Sequence, residues 1–374
     1  MISGLSHSPE ANILTPAGWM RGRIVLDGPK IGAIAAKPCL RTEDNDLPLI
    51  IPGFIDLHIH GGNGTDYTDG EEGIRAFIRY HTQHGTVALA PTTSTAPISV
   101  IEAALADISH IQAKPAPNEA TVLGAHLEGP FINPGKLGAQ SNQTILPDLD
   151  LVARWTKLCR LRVATIAPEM TGGMELISAF SATGCRVQVG HSLATPELLA
   201  EAFGCGMVGF THLFNGMSGA HHRDAGVAAY ALAHGQYAEL ISDLIHVNRT
   251  MMLAAIRAIP RLFAITDATA SAGLPDGRYA SSDDSAVIKT GLMVMTEDGT
   301  SLAGSAITML DAYRNLVSLG LSPGFASELC ATRQADYLGL RDLGRLSPGM
   351  SASFVMLGQR DLSLQGVWMR GTQT

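Results

Sequence analysis

Residues 52–60 read Pro-Gly-Phe-Ile-Asp-Leu-His-Ile-His, a short apolar run that ends in two histidines one residue apart. On a β-strand alternate side chains share a face, so His58 and His60 project the same way. Two imidazoles side by side at a strand end suggest a metal; a hydrogen-bonded pair without a ligand is the plainer alternative. The stretches downstream bear on both the metal and the fold.

From residue 54 to about residue 270 one unit recurs: a short apolar or β-branched run, a polar residue at its end, then a helix-like segment. The runs read as strands are Phe54 to His60, Val87 to Thr92, Val122 to Glu128, Val163 to Ala167, Arg186 to His191, Val208 to His212, Leu240 to Asp243 and Phe263 to Asp267. Their spacing leaves room for one crossover helix each, the rhythm of a (β/α)8 TIM-type barrel. A doubly wound sheet is the competing arrangement. Helices are expected over Glu72 to Gln83, Ser99 to His110, Leu149 to Leu158, Pro196 to Ala202 and Arg249 to Ile259, the fourth with Thr195 as its N-cap.

The polar residues at the strand ends favour the barrel. They are His58 with His60, Thr92 with Thr93, Glu128, Glu169, His191, His212, Asp243 and Asp267. A closed barrel brings all its strand ends to one rim, where active sites of that fold lie. An open sheet would string them along a line. Of the chain ends outside this region, residues 1–51 and 347–374, residues 10–51 show short alternating segments and turns such as Asp27-Gly28-Pro29, and residues 350–370 resemble two more strands. Both chain ends are therefore expected to build one small β-sandwich domain, with the barrel, residues 52–346, inserted between them.

Composition narrows the partners. The 374-residue chain is 46% hydrophobic and 16% charged, and its formal charge of −8 argues against nucleic acid and anionic membranes. No apolar stretch is long enough to cross a membrane and no signal pattern opens the chain, so a cytoplasmic location is expected. Five scattered cysteines without a Cys-x-x-Cys indicate neither a disulfide framework nor a thiolate zinc site.

Imidazole and carboxylate donors such as His58, His60, Glu128, His191, His212 and Asp267 suit divalent Zn, Fe, Mn or Co. Several segments carry a resemblance: PGFIDLHIHGG from 52, HLEGPFINPGKLGAQ from 126, VGHS from 189, THLFNGM from 211, DLIHVN from 243, ITDATASAGLPDG from 265 and LAGSAITMLDAYRNLV from 302. In this order they resemble the amidohydrolase superfamily, and within it the family of N-acetylglucosamine-6-phosphate deacetylases.

The resemblance implies that Glu128, His191 and His212 hold one metal and that His58 and His60 hold a second. Glu128 would stand between the two, with Asp267 beside them as general base and then acid. One branch of the family uses a single metal, lacks the first-strand histidine pair and places a histidine where this chain has Gln140, so two metals are expected here. The resemblance further assigns Gln140, Asn215, Gly216, Arg223 and His246 to a sugar phosphate, with Arg223 reaching the active site of the neighbouring subunit of a homodimer. The implied reaction is hydrolysis of the N-acetyl group of N-acetyl-D-glucosamine 6-phosphate or its galactosamine epimer. Another amidohydrolase substrate, such as a cyclic amide or N-acyl amino acid, and a non-catalytic sugar-phosphate binding protein are the alternatives. The chain departs from the family at Leu244, where a glycine is usual, and at Arg333-Gln334. His221 and His222 are expected to be exposed, His126 to pack below the site, and His81 and His84 to lie on a polar helix face.

Overall fold

The computed structural model describes residues 6–39, 45–280 and 286–374. A parallel strand is covered on both faces and is therefore apolar along its length. This accounts for the near-complete burial of Phe54–Ile59 (β1), Thr86–Thr93 (β2), Ala125–Glu128 (β3), Leu161–Ile166 (β4), Arg186–Val189 (β5), Met207–Phe210 (β6), Glu239–Ile241 (β7) and Phe263–Ile265 (β8). A helix follows each of the first seven: Gly70–Gln83 (α1), Ile98–Ala113 (α2), Leu149–Leu158 (α3), Gly173–Ala182 (α4), Pro196–Gly204 (α5), Val227–His234 (α6) and Arg249–Ala258 (α7).

The strands pair in parallel and in chain order from β1 to β6, and β7 pairs with β8. Single parallel bridges, Phe210 with Ala238 and Ile59 with Ala268, connect β6 toward β7 and the end of β8 back to β1. The result is a curled parallel sheet in a mixed α/β fold.

The strands are shorter than the sequence suggests, for identifiable reasons. The expected run from Val122 to Glu128 breaks at Gly124, whose φ is +124° and whose Cβ, if present, would lie 2.3 Å from the Arg160 carbonyl oxygen. At the other ends, His191, His212 and Asp267 have φ of 49°, 26° and 52°, which no strand can continue. Helix α6, Val-Ala-Ala-Tyr-Ala-Leu-Ala-His, lacks a polar face and gave no amphipathic signal.

Between β8 and Met309–Ser318 (α8) the chain adds an antiparallel sheet, Gly277–Ala280, Ala286–Thr290, Met293–Thr296 and Leu302–Ser305, which the sequence reading did not anticipate. The chain ends share one further sheet. Leu49–Pro52 pairs in parallel with Ala11–Thr15 and antiparallel with Phe354–Leu357, so the N- and C-terminal segments are stitched together. A second, smaller core, including Ile13, Ile24, Leu346, Phe354 and Trp368, fills this sheet. Among the described residues no helix is long and apolar enough to cross a membrane.

One expectation is corrected. His81 does not lie on a polar face; it is fully buried, and its Nε2–H donates to the Gly61 carbonyl at 3.0 Å. Burial pushes its pKa down to about 4. His84 is half-buried, with its Nδ1 donating to the Tyr80 carbonyl at 2.8 Å.

Candidate active site

Six of the polar residues expected at the strand ends come together. His58 lies in β1 and His60 just beyond it, Glu128 closes β3, and His191, His212 and Asp267 each lie two residues past β5, β6 and β8. Three of these six residues hold left-handed backbone angles, which cost non-glycine residues of order 1–3 kcal/mol and concentrate where function demands them.

Glu128 stands between two groups of donors. Its Oε1 is 3.1 Å from Nε2 of His191 and 2.8 Å from Nε2 of His212; its Oε2 faces Nε2 of His60 at 3.4 Å and of His58 at 3.6 Å. Asp267 completes the second group, with Oδ1 3.1 Å from His60 Nε2 and 3.5 Å from His58 Nε2. The ligand-capable atoms of His58, His60 and Asp267, and those of Glu128, His191 and His212, each lie within 4.8 Å of one another.

The far side of each ring fixes its tautomer. Nδ1 of His60 lies against the Thr92 carbonyl at 3.2 Å, that of His191 against Lys136 O at 2.7 Å and that of His212 against Asn215 O at 3.1 Å. Nδ1 of His58 meets Oε2 of Glu239 at 2.9 Å. Carbonyl and carboxylate oxygens only accept, so in all four neutral rings Nδ1 carries the proton and Nε2 presents a lone pair to the centre. His58 and His60 then oppose lone pairs at 3.2 Å, as do His191 and His212 at 3.1 Å, amid two carboxylates. Such an all-acceptor set is coherent around divalent cations, and the residues fit them.

The carboxylates draw positive charge into this centre, onto the rings themselves when no cation is bound. Burial works against a charged His60, but the Asp267 and Glu128 carboxylates outweigh it and raise its pKa to about 9; His58 is raised for the same reason by Glu128, Glu239 and Asp267. Burial likewise opposes ionised Asp267, yet His58, His60 and His212 hold it down at about 2. Glu128 is held well below the usual carboxylate range against its burial, by His58, His191 and His212.

Above the donors opens a cavity of about 320 Å³, within the size range of small-molecule sites. Gln140, Asn215, Gly216 and His246 line it with His60, Glu128, His191, His212 and Asp267, and the added antiparallel sheet supplies a wall that includes Tyr279, Thr296 and Leu302. Oε1 of Gln140 accepts the Thr95 N–H at 2.9 Å, which aims its amide nitrogen at the His191 side. Nδ2 of Asn215 donates to the carbonyl of His212 at 3.2 Å, bracing the β6 loop. Gly216, at φ +57°, has no room for a Cβ, which would sit 2.9 Å from the His191 ring. His246 Nδ1 is 2.6 Å from Oδ2 of buried Asp243.

Other expected residues lie apart. Arg223 is exposed, bonded to His222 at 2.7 Å, and does not line the cavity of its own chain; His221 and His222 are exposed as expected. Glu169 faces away from the donors and instead accepts from Asn133 and Ser192, each at 2.8 Å. His126 packs below them, its nitrogens taken by the Leu57 carbonyl at 2.9 Å and the Thr165 hydroxyl at 2.8 Å. Leu244 packs against the core rather than forming the cavity wall, at φ +66° where the resembled family usually has glycine. Glu239 was missed; its one signal in the sequence is a carboxylate at the start of an otherwise apolar strand.

Comparison with known proteins gives the family. The amidohydrolase family model matches residues 49–374. An N-acetylgalactosamine-6-phosphate deacetylase of Escherichia coli O157:H7 is 36% identical over 96% of each chain, and an N-acetylglucosamine-6-phosphate deacetylase of Vibrio furnissii is 35% identical over 94% of this chain and 91% of its own. Among solved structures, a mutant N-acetyl-D-glucosamine-6-phosphate deacetylase of Mycobacterium smegmatis in complex with N-acetyl-D-glucosamine-6-phosphate superposes with a TM-score of 0.90, 25% identity and 99% coverage of both chains. On the family match, the full-length relatives and the shared fold, the chain belongs to the amidohydrolase family.

Proposed function

We propose that this chain hydrolyses the N-acetyl group of N-acetyl-D-glucosamine 6-phosphate, releasing acetate and glucosamine 6-phosphate. The observation that carries the reading is the pair of donor groups joined by Glu128, with ionised Asp267 at their edge and a cavity above. In the same reading the parallel strands close as a (β/α)8 barrel over residues 52–346, and residues 1–51 with 347–374 form a small β-sandwich domain. The setting is cytoplasmic, where cysteines stay reduced.

Glu128, His191 and His212 would hold one divalent cation, Zn, Fe, Mn or Co, and His58, His60 and Asp267, with Glu128, a second. Cations there supply Lewis acidity, which acidifies water toward neutral pH and polarises an amide carbonyl. The protein's own groups do the rest. Asp267, a carboxylate at neutral pH, accepts the proton of the attacking water and returns it to the departing amine, so one group serves as base and then acid. Gln140, steadied by the Thr95 N–H, directs its amide N–H groups toward the acyl end. Asn215, Gly216 and His246 would bind the sugar phosphate, and Arg223 would reach it from the second subunit of a homodimer, since a guanidinium is the fitting partner for a phosphate.

The galactosamine epimer is the second reading, favoured by the relative at 36% identity. Acetate release from N-acetylglucosamine and N-acetylgalactosamine, each with and without the 6-phosphate, tests both. The reading expects a strong preference for the phosphorylated sugars, with the glucosamine form first; equal rates with and without phosphate contradict it.

A further inference from the structure

Four histidines face the donor centre, and three of them rest on neutral carbonyls: His60 on Thr92, His191 on Lys136 and His212 on Asn215. His58 alone rests on a carboxylate. Glu239, at the start of β7 and wholly buried, receives the His58 Nδ1–H on Oε2 at 2.9 Å. The same oxygen lies 3.3 Å from the backbone N–H of His212, and the Glu239 carbonyl accepts the Leu213 N–H at 2.9 Å. Its other oxygen, Oε1, is buried and has no hydrogen-bond partner among the described residues. No lysine or arginine pairs with Glu239 among them either; its one ion-pair partner is His58.

A buried carboxylate with an idle oxygen is costly unless positive charge lies close by. Among the described residues its one ion-pair partner is the His58 ring, whose Nε2 opens on His60, Asp267 and Glu128; the nearby His126 ring, its pKa lowered to about 4 by burial, supplies no charge at neutral pH. A carboxylate behind a ligating imidazole fixes the ring's tautomer and orientation and raises the basicity of the nitrogen that faces the metal. We infer that Glu239 is a positioning residue: it makes His58 the strongest imidazole donor of its group, and through the His212 backbone it ties that group to the one formed by Glu128, His191 and His212. The inference rests on the two-cation reading given above.

The test is cobalt retention by the full chain, with Glu239→Gln as the main variant because it keeps the shape and an acceptor oxygen while removing the charge. Cobalt-loaded wild type, Glu239→Gln and His58→Ala are titrated with a chelator while the visible cobalt spectrum and the metal content are followed. The inference expects Glu239→Gln to lose one equivalent at chelator concentrations about 10–100-fold lower than wild type, to keep the other, and to lose kcat with little change in KM. Wild-type retention of both equivalents by Glu239→Gln overturns it, even where thermal stability falls. A wild type that holds one equivalent, unaffected by His58→Ala, overturns the two-cation reading itself and this inference with it. Glu239→Ala is the harsher variant; should it not fold, the glutamine variant still decides.

Discussion

Oδ1 of Asp267 lies 3.1 Å from Nε2 of His60, so the proposed proton acceptor touches the residue with which the sequence reading began. In the two-cation reading proposed above, His60 is a ligand of the second cation. Its replacement by alanine is expected to reduce bound metal from two equivalents to one per chain and to lower kcat by about 100-fold or more, on the scale of lost ligand support. Metal analysis of the purified variant checks this; one equivalent in wild type, unchanged in His60→Ala, would refute it.

His81 makes the stability of the fold depend on pH. Its ordinary pKa of 6.5 falls to about 4 in the folded chain because burial disfavours the charge. Below pH 6.5 the unfolded chain takes up this proton and the folded one does not, so the stability is whole above 6.5 and is lost as pH falls toward 4. The shift corresponds to a loss of order 3 kcal/mol. His81→Gln can keep the hydrogen bond to Gly61 without titrating, and its unfolding free energy is expected to fall less steeply across that window. Denaturant unfolding of both proteins at pH 4 to 7 measures the difference; parallel curves would contradict it.

Much of this arrangement was legible in the sequence, because a parallel strand of this kind announces itself as an apolar run and hands its last polar residue to a common rim. His58, His60, Glu128, His191, His212 and Asp267 were all reachable by that reasoning, and the structure brings them together. What was hidden depends on geometry that no spacing encodes. The left-handed angles at His191, His212 and Asp267 shorten their strands. Glu239 meets His58 across 181 positions of chain. His81 reads as polar in its helix and is buried because the Gly61 backbone sits against its ring. The sheet of Gly277–Ala280, Ala286–Thr290, Met293–Thr296 and Leu302–Ser305 is built of short segments whose place over the cavity only the fold reveals.

Arg223 is exposed and stands outside the cavity of its own chain, so the phosphate contact proposed for it requires a second subunit. Arg223→Ala is expected to raise KM for the phosphorylated sugar and to leave that for the unphosphorylated sugar unchanged. If the residue acts across a dimer, mixing Arg223→Ala with Asp267→Asn chains under exchange restores activity, because half of the dimers then carry one intact site. The recovered rate is about a quarter of wild type for random mixing in a two-fold dimer. At substrate concentrations low enough that Arg223→Ala turns over poorly, a mixed rate no higher than the average of the two variants would place Arg223 in its own chain's chemistry or outside it altogether.

The central claim, that Asp267 moves the proton in a cation-assisted hydrolysis, is tested most directly by steady-state acetate release from N-acetyl-D-glucosamine 6-phosphate in metal-loaded wild type and Asp267→Asn. An amide cannot accept that proton, so kcat is predicted to fall by about 10²–10⁴-fold while KM changes little and the cation at Glu128, His191 and His212 is retained. Undiminished acetate release by the variant, with its metal in place, would contradict the account.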